Sequence, residues 1–332
     1  MDQMAGLSKE LSQRGFEVFG VDLIGFGRSE KPPISYNQYF WRDQVILAVM
    51  RHQKESCDGQ EREVVFFGNS IGGFTAASAA AAFAEPIITD TANIVRYGAG
   101  VKVAGLVLFN SAGRILADPN ASNSSTDQVS SDQNKGTKTS KPTLTVEEEM
   151  DFISDKYKAK FYPPYSGPPG PLLRLFGSGL IAALQPQIRK TTEWLYPSQP
   201  QVIAESALDK SILRDSLDPG ARDVMASGAK LPAPVSIDAL LQCYKGPVLI
   251  AQGALDPLND AVDRAGKFGA IREGVQVELM QLGHCPMDED PKQCAEVVLK
   301  WWKESKTTTD APVITSDTDA GRASTDLEMA SV

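Results

Sequence analysis

Ser70 is the residue around which chemistry can be built. It stands in Gly68-Asn69-Ser70-Ile71-Gly72-Gly73, directly after the apolar run Val64-Val65-Phe66-Phe67 and directly before an alanine-rich stretch, residues 71–84. Strand, tight turn and helix in that order are what a nucleophile elbow requires. The serine projects from a turn at positive φ, and the flanking glycines leave space where side chains would collide. The helix aims backbone N–H groups and its dipole at the space above the serine, so negative charge developing there is favoured. On this reading Ile71, the next residue, donates its N–H to an oxyanion. The turn alone is equally compatible with an ordinary strand-to-helix connection, so the decision rests on residues further along the chain.

A serine hydroxyl is a weak nucleophile near neutral pH. It needs a base to take its proton, and the base needs an acid to orient it. The chain has only 2 histidines. His52 lies beside Arg51 and Lys54 on a polar helix end and reads as a solvated surface residue. His284 lies in Leu282-Gly283-His284-Cys285-Pro286, just after a strand-like run at residues 275–279. Loops at the carboxyl ends of parallel strands are where α/β sheets place ligands and chemistry. The acid is Asp256, in Gln252-Gly253-Ala254-Leu255-Asp256-Pro257, with Asp260 as the alternative. Asp288 and Asp290 are near His284 in sequence but are expected to face solvent. The order Ser70, Asp256, His284 is the order of a serine–acid–histidine triad on one sheet.

The elements that must position these residues follow from pattern. Apolar residues at helical spacing predict a helix over residues 3–14. Phe16-Glu17-Val18-Phe19-Gly20-Val21-Asp22 reads as a strand, and residues 39–53 as a helix. Strands follow at residues 64–67, 101–109, 247–253 and 275–279, with a closing helix over 295–302. Strands alternating with helices imply a mostly parallel, doubly wound sheet. Residues 114–235 interrupt the alternation and read as an inserted helical cap. Residues 1–113 and 236–303 then form the two parts of the core, and residues 304–332 a disordered tail. Within the cap, residues 117–145 are rich in Ser, Thr, Asn, Asp and Gly and are expected to be a disordered insertion. Residues 146–162 suggest a helix and residues 163–170 a stiff Pro/Gly linker. The helix over residues 172–184 carries apolar residues on more than one face. Packing on the core accounts for one face, and Leu172, Leu175 and Phe176 are then candidates for a substrate channel.

Composition narrows the partners. With 332 residues, 42% hydrophobic and 23% charged, the chain can bury a large core. A net charge of −9 without any basic block excludes nucleic acid as the main partner. Cys57, Cys243, Cys285 and Cys294 show no paired metal-ligand spacing and read as reduced thiols, so neither a metal nor another cofactor is expected. No run reaches transmembrane length, and residues 1–14 match neither a signal nor a transit peptide. The expected partner is a small-molecule or lipid-like ester, with peripheral contact to a membrane surface left open.

Four stretches together resemble the α/β-hydrolase superfamily: Val21-Asp22-Leu23-Ile24-Gly25-Phe26-Gly27-Arg28-Ser29, the Ser70 turn, Gln252-Gly253-Ala254-Leu255-Asp256-Pro257, and Gly283-His284-Cys285-Pro286. Gly-His-Cys-Pro followed by acidic residues, and Leu217-Asp218-Pro219-Gly220-Ala221-Arg222-Asp223-Val224, are similar to the plant and algal branch containing pheophytinase and chlorophyll dephytylase. The resemblance covers about residues 16–113 and 194–303. It implies serine carboxylester hydrolysis, with Ser70 as nucleophile, His284 as base and Asp256 as orienting acid. The branch implies a phytyl ester of a chlorophyll-type pigment and a chloroplast location. Relative to the family, the chain begins inside the helix that follows the first strands and a His-Gly oxyanion loop. Those strands are therefore expected to be missing, leaving a gap between residues 18–21 and 64–67 and only Ile71 as a placed oxyanion donor. One such donor is worth about 3–4 kcal/mol in the barrier. Three readings stay open: the ester hydrolase, another chemistry of this fold such as a carbon–carbon bond hydrolase or acyltransferase, and a truncated, inactive chain acting as a binding module or gene-model fragment. Ser70 argues against dehalogenase or epoxide hydrolase chemistry, which uses an aspartate nucleophile in this fold.

Overall fold

The computed structural model describes residues 2–34, 36–56, 62–84, 101–117, 145–147, 149, 170–228 and 235–309. Residues 118–144 of the expected insertion, most of the helix over 146–162, residues 163–169 of the Pro/Gly linker and the tail beyond 309 lie outside the described residues. In chain order the elements are α1 (Ala5–Ser12), α2 (Gln38–Ser56), β1 (Arg62–Asn69), α3 (Ile71–Ala84) and β2 (Val101–Phe109). Five helices follow: α4 (Gly170–Leu184), α5 (Ile188–Leu195), α6 (Gln201–Glu205), α7 (Leu208–Ser216) and α8 (Ala221–Gly228). Then come α9 (Ile237–Cys243), β3 (Val248–Gly253), α10 (Ala261–Ala270), β4 (Val275–Met280), α11 (Pro286–Glu289) and α12 (Pro291–Thr309).

The four strands pair in the order β1-β2-β3-β4, all parallel. Parallel strands are covered on both faces, which is why β2 and β3 read as almost unbroken apolar runs. Side chains alternate between the two layers. Leu106, Leu108, Val248 and Ile250 join α2, α3 and α9 in one core cluster. Val107, Phe109, Leu249 and Ala251 join α1 and α12 in the other, where Leu7, Leu11, Val298 and Trp301 are buried. The chain thus folds as an α/β sheet with helices on both faces. Helix α3 is apolar all round and buried from Gly73 to Ala82, as a helix between sheet and neighbouring helices must be.

Two elements differ from the sequence expectation. Residues 16–22 form neither helix nor strand and belong to no sheet. A strand needs a partner ladder, and a cavity separates these residues from the outer edge of β1. Side chains hold them instead. Glu17 accepts from Arg62 Nη1 at 2.9 Å and lies 2.9 Å from His52 Nε2, Phe19 stacks on His52 at 4.3 Å, and Gln44 Nε2 donates to Asp22 O at 3.1 Å. The closing helix, in turn, continues to Thr309, past the expected boundary at 303.

Helices α5 and α8 approach the carboxyl ends of the strands, Leu195 O accepting from His284 N and Val224 packing in the cluster that Ile71 borders. Of α4, only Leu173 and Gly177 are buried. A Cβ on Gly177 would lie 2.2 Å from Arg222 O, so α4 and α8 meet backbone to backbone at this glycine. Arg174 Nε donates to Asp223 Oδ1 at 2.7 Å beside that contact. The helix α8 is tied to the body through Ser227 Oγ, which accepts from Tyr36 N at 3.0 Å.

Candidate active site

Ser70 closes β1 and opens α3. Its φ is +51°, a left-handed conformation that a serine adopts only when its surroundings impose it. Those surroundings are visible. Ser70 N–H donates to Phe109 O at 3.0 Å, and Ser70 O accepts from Phe74 N at 3.1 Å and Ala112 N at 2.9 Å. Gly68 is required by contact, since a Cβ there would lie 2.2 Å from Gly72 O. The side chain of Ser70 is half-buried and borders the cavity, as does Ile71, whose N–H opens the first turn of α3. First-turn N–H groups have no partner within their helix, so Ile71 offers a backbone donor next to Ser70.

His284 and Asp256 meet although 28 residues separate them in sequence. His284 Nδ1 lies 3.0 Å from Asp256 Oδ2, leaving Nε2 as the other ring nitrogen. Both residues are buried, and His284 borders the same cavity as Ser70. Burial works against the Asp256 carboxylate. Hydrogen bonds from His284, Leu258 N and Asn259 outweigh it and hold the pKa below the usual carboxylate range. An ionised, buried carboxylate on Nδ1 fixes the ring orientation and stabilises a proton arriving on Nε2. Asp260, the alternative acid, is exposed and caps α10 by accepting from Asp263 N at 3.0 Å.

The loop carrying His284 is tied down on several sides. His284 N donates to Leu195 O at 2.9 Å, at the end of α5. Glu289, buried, accepts from Gly283 N at 2.7 Å and from Ser198 N at 3.1 Å. Asp288 does not face solvent as expected. It is half-buried and accepts from Tyr196 Oη at 2.9 Å, and burial raises its pKa. Burial also pushes the Cys285 thiol up to about 12, so this cysteine is a neutral packing group next to the histidine.

Sequence reasoning missed Asn110. This buried residue has φ +39°, and its Nδ2 donates to Gly283 O at 2.9 Å and to His284 O at 3.0 Å. Its Oδ1 accepts from Gly253 N at 2.8 Å. The Asn69 amide, beside the serine, faces the same loop: assigned with Nδ2 toward the two carbonyls, it donates to His284 O at 3.0 Å and Phe109 O at 2.9 Å. The signal in the sequence was an asparagine at the carboxyl end of a strand, in Phe109-Asn110-Ser111-Ala112-Gly113.

The cavity has a volume of about 1010 Å³ and runs from Ser70 and His284 between residues 15–23 and β1 to Trp301 and Trp302. Its walls are largely apolar, from Leu7, Leu11 and Trp301 on one side to Val45, Val49 and Ala76 on the other. The cap residues singled out in the sequence are elsewhere. Leu172, Leu175 and Phe176 are 56%, 70% and 54% exposed and do not border this cavity. The cause is the close contact at Gly177, which turns the Leu173 face of α4 inward and the other faces out. His52, half-exposed, borders the far end of the cavity and not the serine end. Among the described residues, no group of three or more His, Cys, Asp or Glu side chains is placed to hold a metal ion. Among them, too, no helix is long and apolar enough to cross a membrane.

Known proteins share this architecture. A thermophilic esterase from Thermogutta terrifontis superposes with a TM-score of 0.54 at 16% identity, over 91% of this chain and 85% of the other. An esterase from Exiguobacterium antarcticum gives 0.53 at 14% identity, over 91% and 87%. The epoxide hydrolase CorEH gives 0.51 at 19%, over 91% and 87%. At such identities the likeness is one of fold. No curated protein sequence matches the chain. The model of the alpha/beta hydrolase family matches residues 2–297, and the chain belongs to that family.

Proposed function

We propose that this α/β hydrolase is a serine ester hydrolase, with Ser70 as nucleophile, His284 as base, Asp256 as orienting acid and Ile71 N–H as an oxyanion donor. One observation carries the reading: a serine held at φ +51° opens on the same cavity as His284, whose Nδ1 lies 3.0 Å from Oδ2 of the buried Asp256. In this scheme Ser70 Oγ attacks the ester carbonyl while His284 Nε2 takes its proton. The oxyanion develops beside the first turn of α3, where the helix dipole adds to the donor. The proton on Nε2 passes to the departing alcohol. A water activated by the same nitrogen then releases the acid and restores the serine.

The substrate class we propose is a long, apolar ester. The cavity, about 1010 Å³, is at the upper end of ligand pockets, which span about 300–1,000 Å³. Its apolar walls suit a chain whose burial contributes about 0.8 kcal/mol per methylene. A phytyl ester of a chlorophyll-type pigment is the specific member of this class, supported by the Gly-His-Cys-Pro resemblance. The test is hydrolysis of p-nitrophenyl esters with acyl chains of about two to about sixteen carbons, run beside pheophytin and chlorophyll. The expected result is a specificity constant that rises with chain length and phytol release from a pigment. A constant that falls with length, with no phytol released, contradicts the substrate class.

A further inference from the structure

We propose that Asn110 is the positioning residue that sets His284 and Asp256 in one geometry relative to Ser70, an inference that rests on the hydrolase reading above. The three catalytic candidates come from three separate loops, after β1, β3 and β4. Asn110 is the one side chain described as bonding to both of the latter two. Through Oδ1 it takes the N–H of Gly253, 2.8 Å away, and Gly253 O in turn accepts from Asp256 N at 3.2 Å. Through Nδ2 it holds Gly283 O at 2.9 Å and His284 O at 3.0 Å. The loop that carries the acid and the loop that carries the base are thus fastened to one amide.

That amide is itself locked to the elbow. Phe109 O, one residue earlier, accepts from Ser70 N at 3.0 Å, and Ala112 N, two residues later, donates to Ser70 O at 2.9 Å. Asn110 is 1% exposed, so water does not compete for its bonds, and it holds φ +39°, where asparagine is among the few non-glycine residues tolerated. Its functional groups match the requirement. One acceptor and two donors are needed, and an amide supplies both from one planar group. An aspartate of the same size would face two carbonyl oxygens with acceptors. A serine or alanine would not span the two loops. Positive φ and full use of the amide both fit a residue chosen for position and not for filling space.

The experiment uses Asn110→Ala, Asn110→Ser and Asn110→Asp in the full chain, with three readouts. These are kcat and KM for a p-nitrophenyl ester, thermal stability, and the His284 Nδ1–H resonance of histidine-labelled protein. That resonance is separable because the chain has only 2 histidines. The expected result in folded variants is a fall in kcat of about a hundredfold, the scale of a misplaced catalytic group, with KM little changed and the Nδ1–H signal shifted or lost. Unchanged kcat and an unchanged signal, with only a lower melting temperature, would overturn the proposal. If every substitution prevents folding, the wild-type protein still decides. Slow exchange of the Gly253 amide supports the fork, and exchange at the rate of an open loop overturns it. The NMR readouts need no substrate. Failure of the hydrolase reading, seen as activity surviving in Ser70→Ala, is therefore distinguishable from failure of the Asn110 assignment.

Discussion

The carboxyl edge of the sheet and helix α4 are built on opposite principles. At the sheet edge, two residues hold left-handed backbone, Ser70 and Asn110, and buried polar groups bond across three loops. In α4, 15 residues long, two residues are buried and several large apolar side chains are exposed. Strain at the edge is tolerated because many bonds over-determine it. Helix α4 meets α8 through a close approach at Gly177 and an ion pair between the half-exposed Arg174 and Asp223. The comparison teaches that position is fixed where polar groups are buried and fully bonded. Elsewhere apolar packing alone is asked only to hold a surface together.

The largest expected effects break the edge. His284→Ala and Asp256→Asn should each lower kcat by about three to four orders of magnitude, because base and acid act as a unit with the nucleophile. Asp260→Asn should leave kcat near wild type, since that carboxylate is exposed and serves as a helix cap. Asp256→Asn should also alter acid stability. The folded pKa of Asp256 is depressed, so its contribution to stability is present above the ordinary carboxylate value of about 3.9 and is lost as pH falls through the lower folded value. Urea titrations at a series of acidic pH values should show that limb in the wild type and a flatter one in the variant.

A smaller effect sharpens the other side of the comparison. Gly177→Ala places a Cβ 2.2 Å from Arg222 O, which forces α4 and α8 apart and should cost about 1–3 kcal/mol of stability. Leu175→Ser, on the exposed face, should change stability by less than about 0.5 kcal/mol and leave short-ester turnover unaltered. Thermal melts and p-nitrophenyl acetate rates read both. If Leu175→Ser is the more damaging of the two, the assignment of inner and outer faces of α4 is reversed.

The His284–Asp256 contact and the shared cavity of Ser70 and His284 were legible because each residue follows a strand and strand ends are marked by local pattern: an apolar run, then Gly, Asp-Pro or Gly-His. The parallel sheet was legible for the same reason, each strand being a short apolar run that a helix follows. Asn110 was legible as a residue but not as a role. Its partners lie 143 and 174 residues away, and no local periodicity encodes such a contact. Residues 16–22 have strand composition yet no ladder, because pairing depends on what lies across the edge of β1. The face of α4 that packs was hidden too. Apolar residues surround that helix, and a glycine, which hydrophobic pattern ignores, decides the contact.

The central claim is that Ser70 is a nucleophile. Its most direct test is reaction of the full chain with a fluorophosphonate, followed by intact mass and peptide mapping. One adduct is expected, on Ser70, formed fast in the wild type, slowly in His284→Ala and absent in Ser70→Ala. An adduct on another residue, or equal labelling of Ser70→Ala, would contradict it.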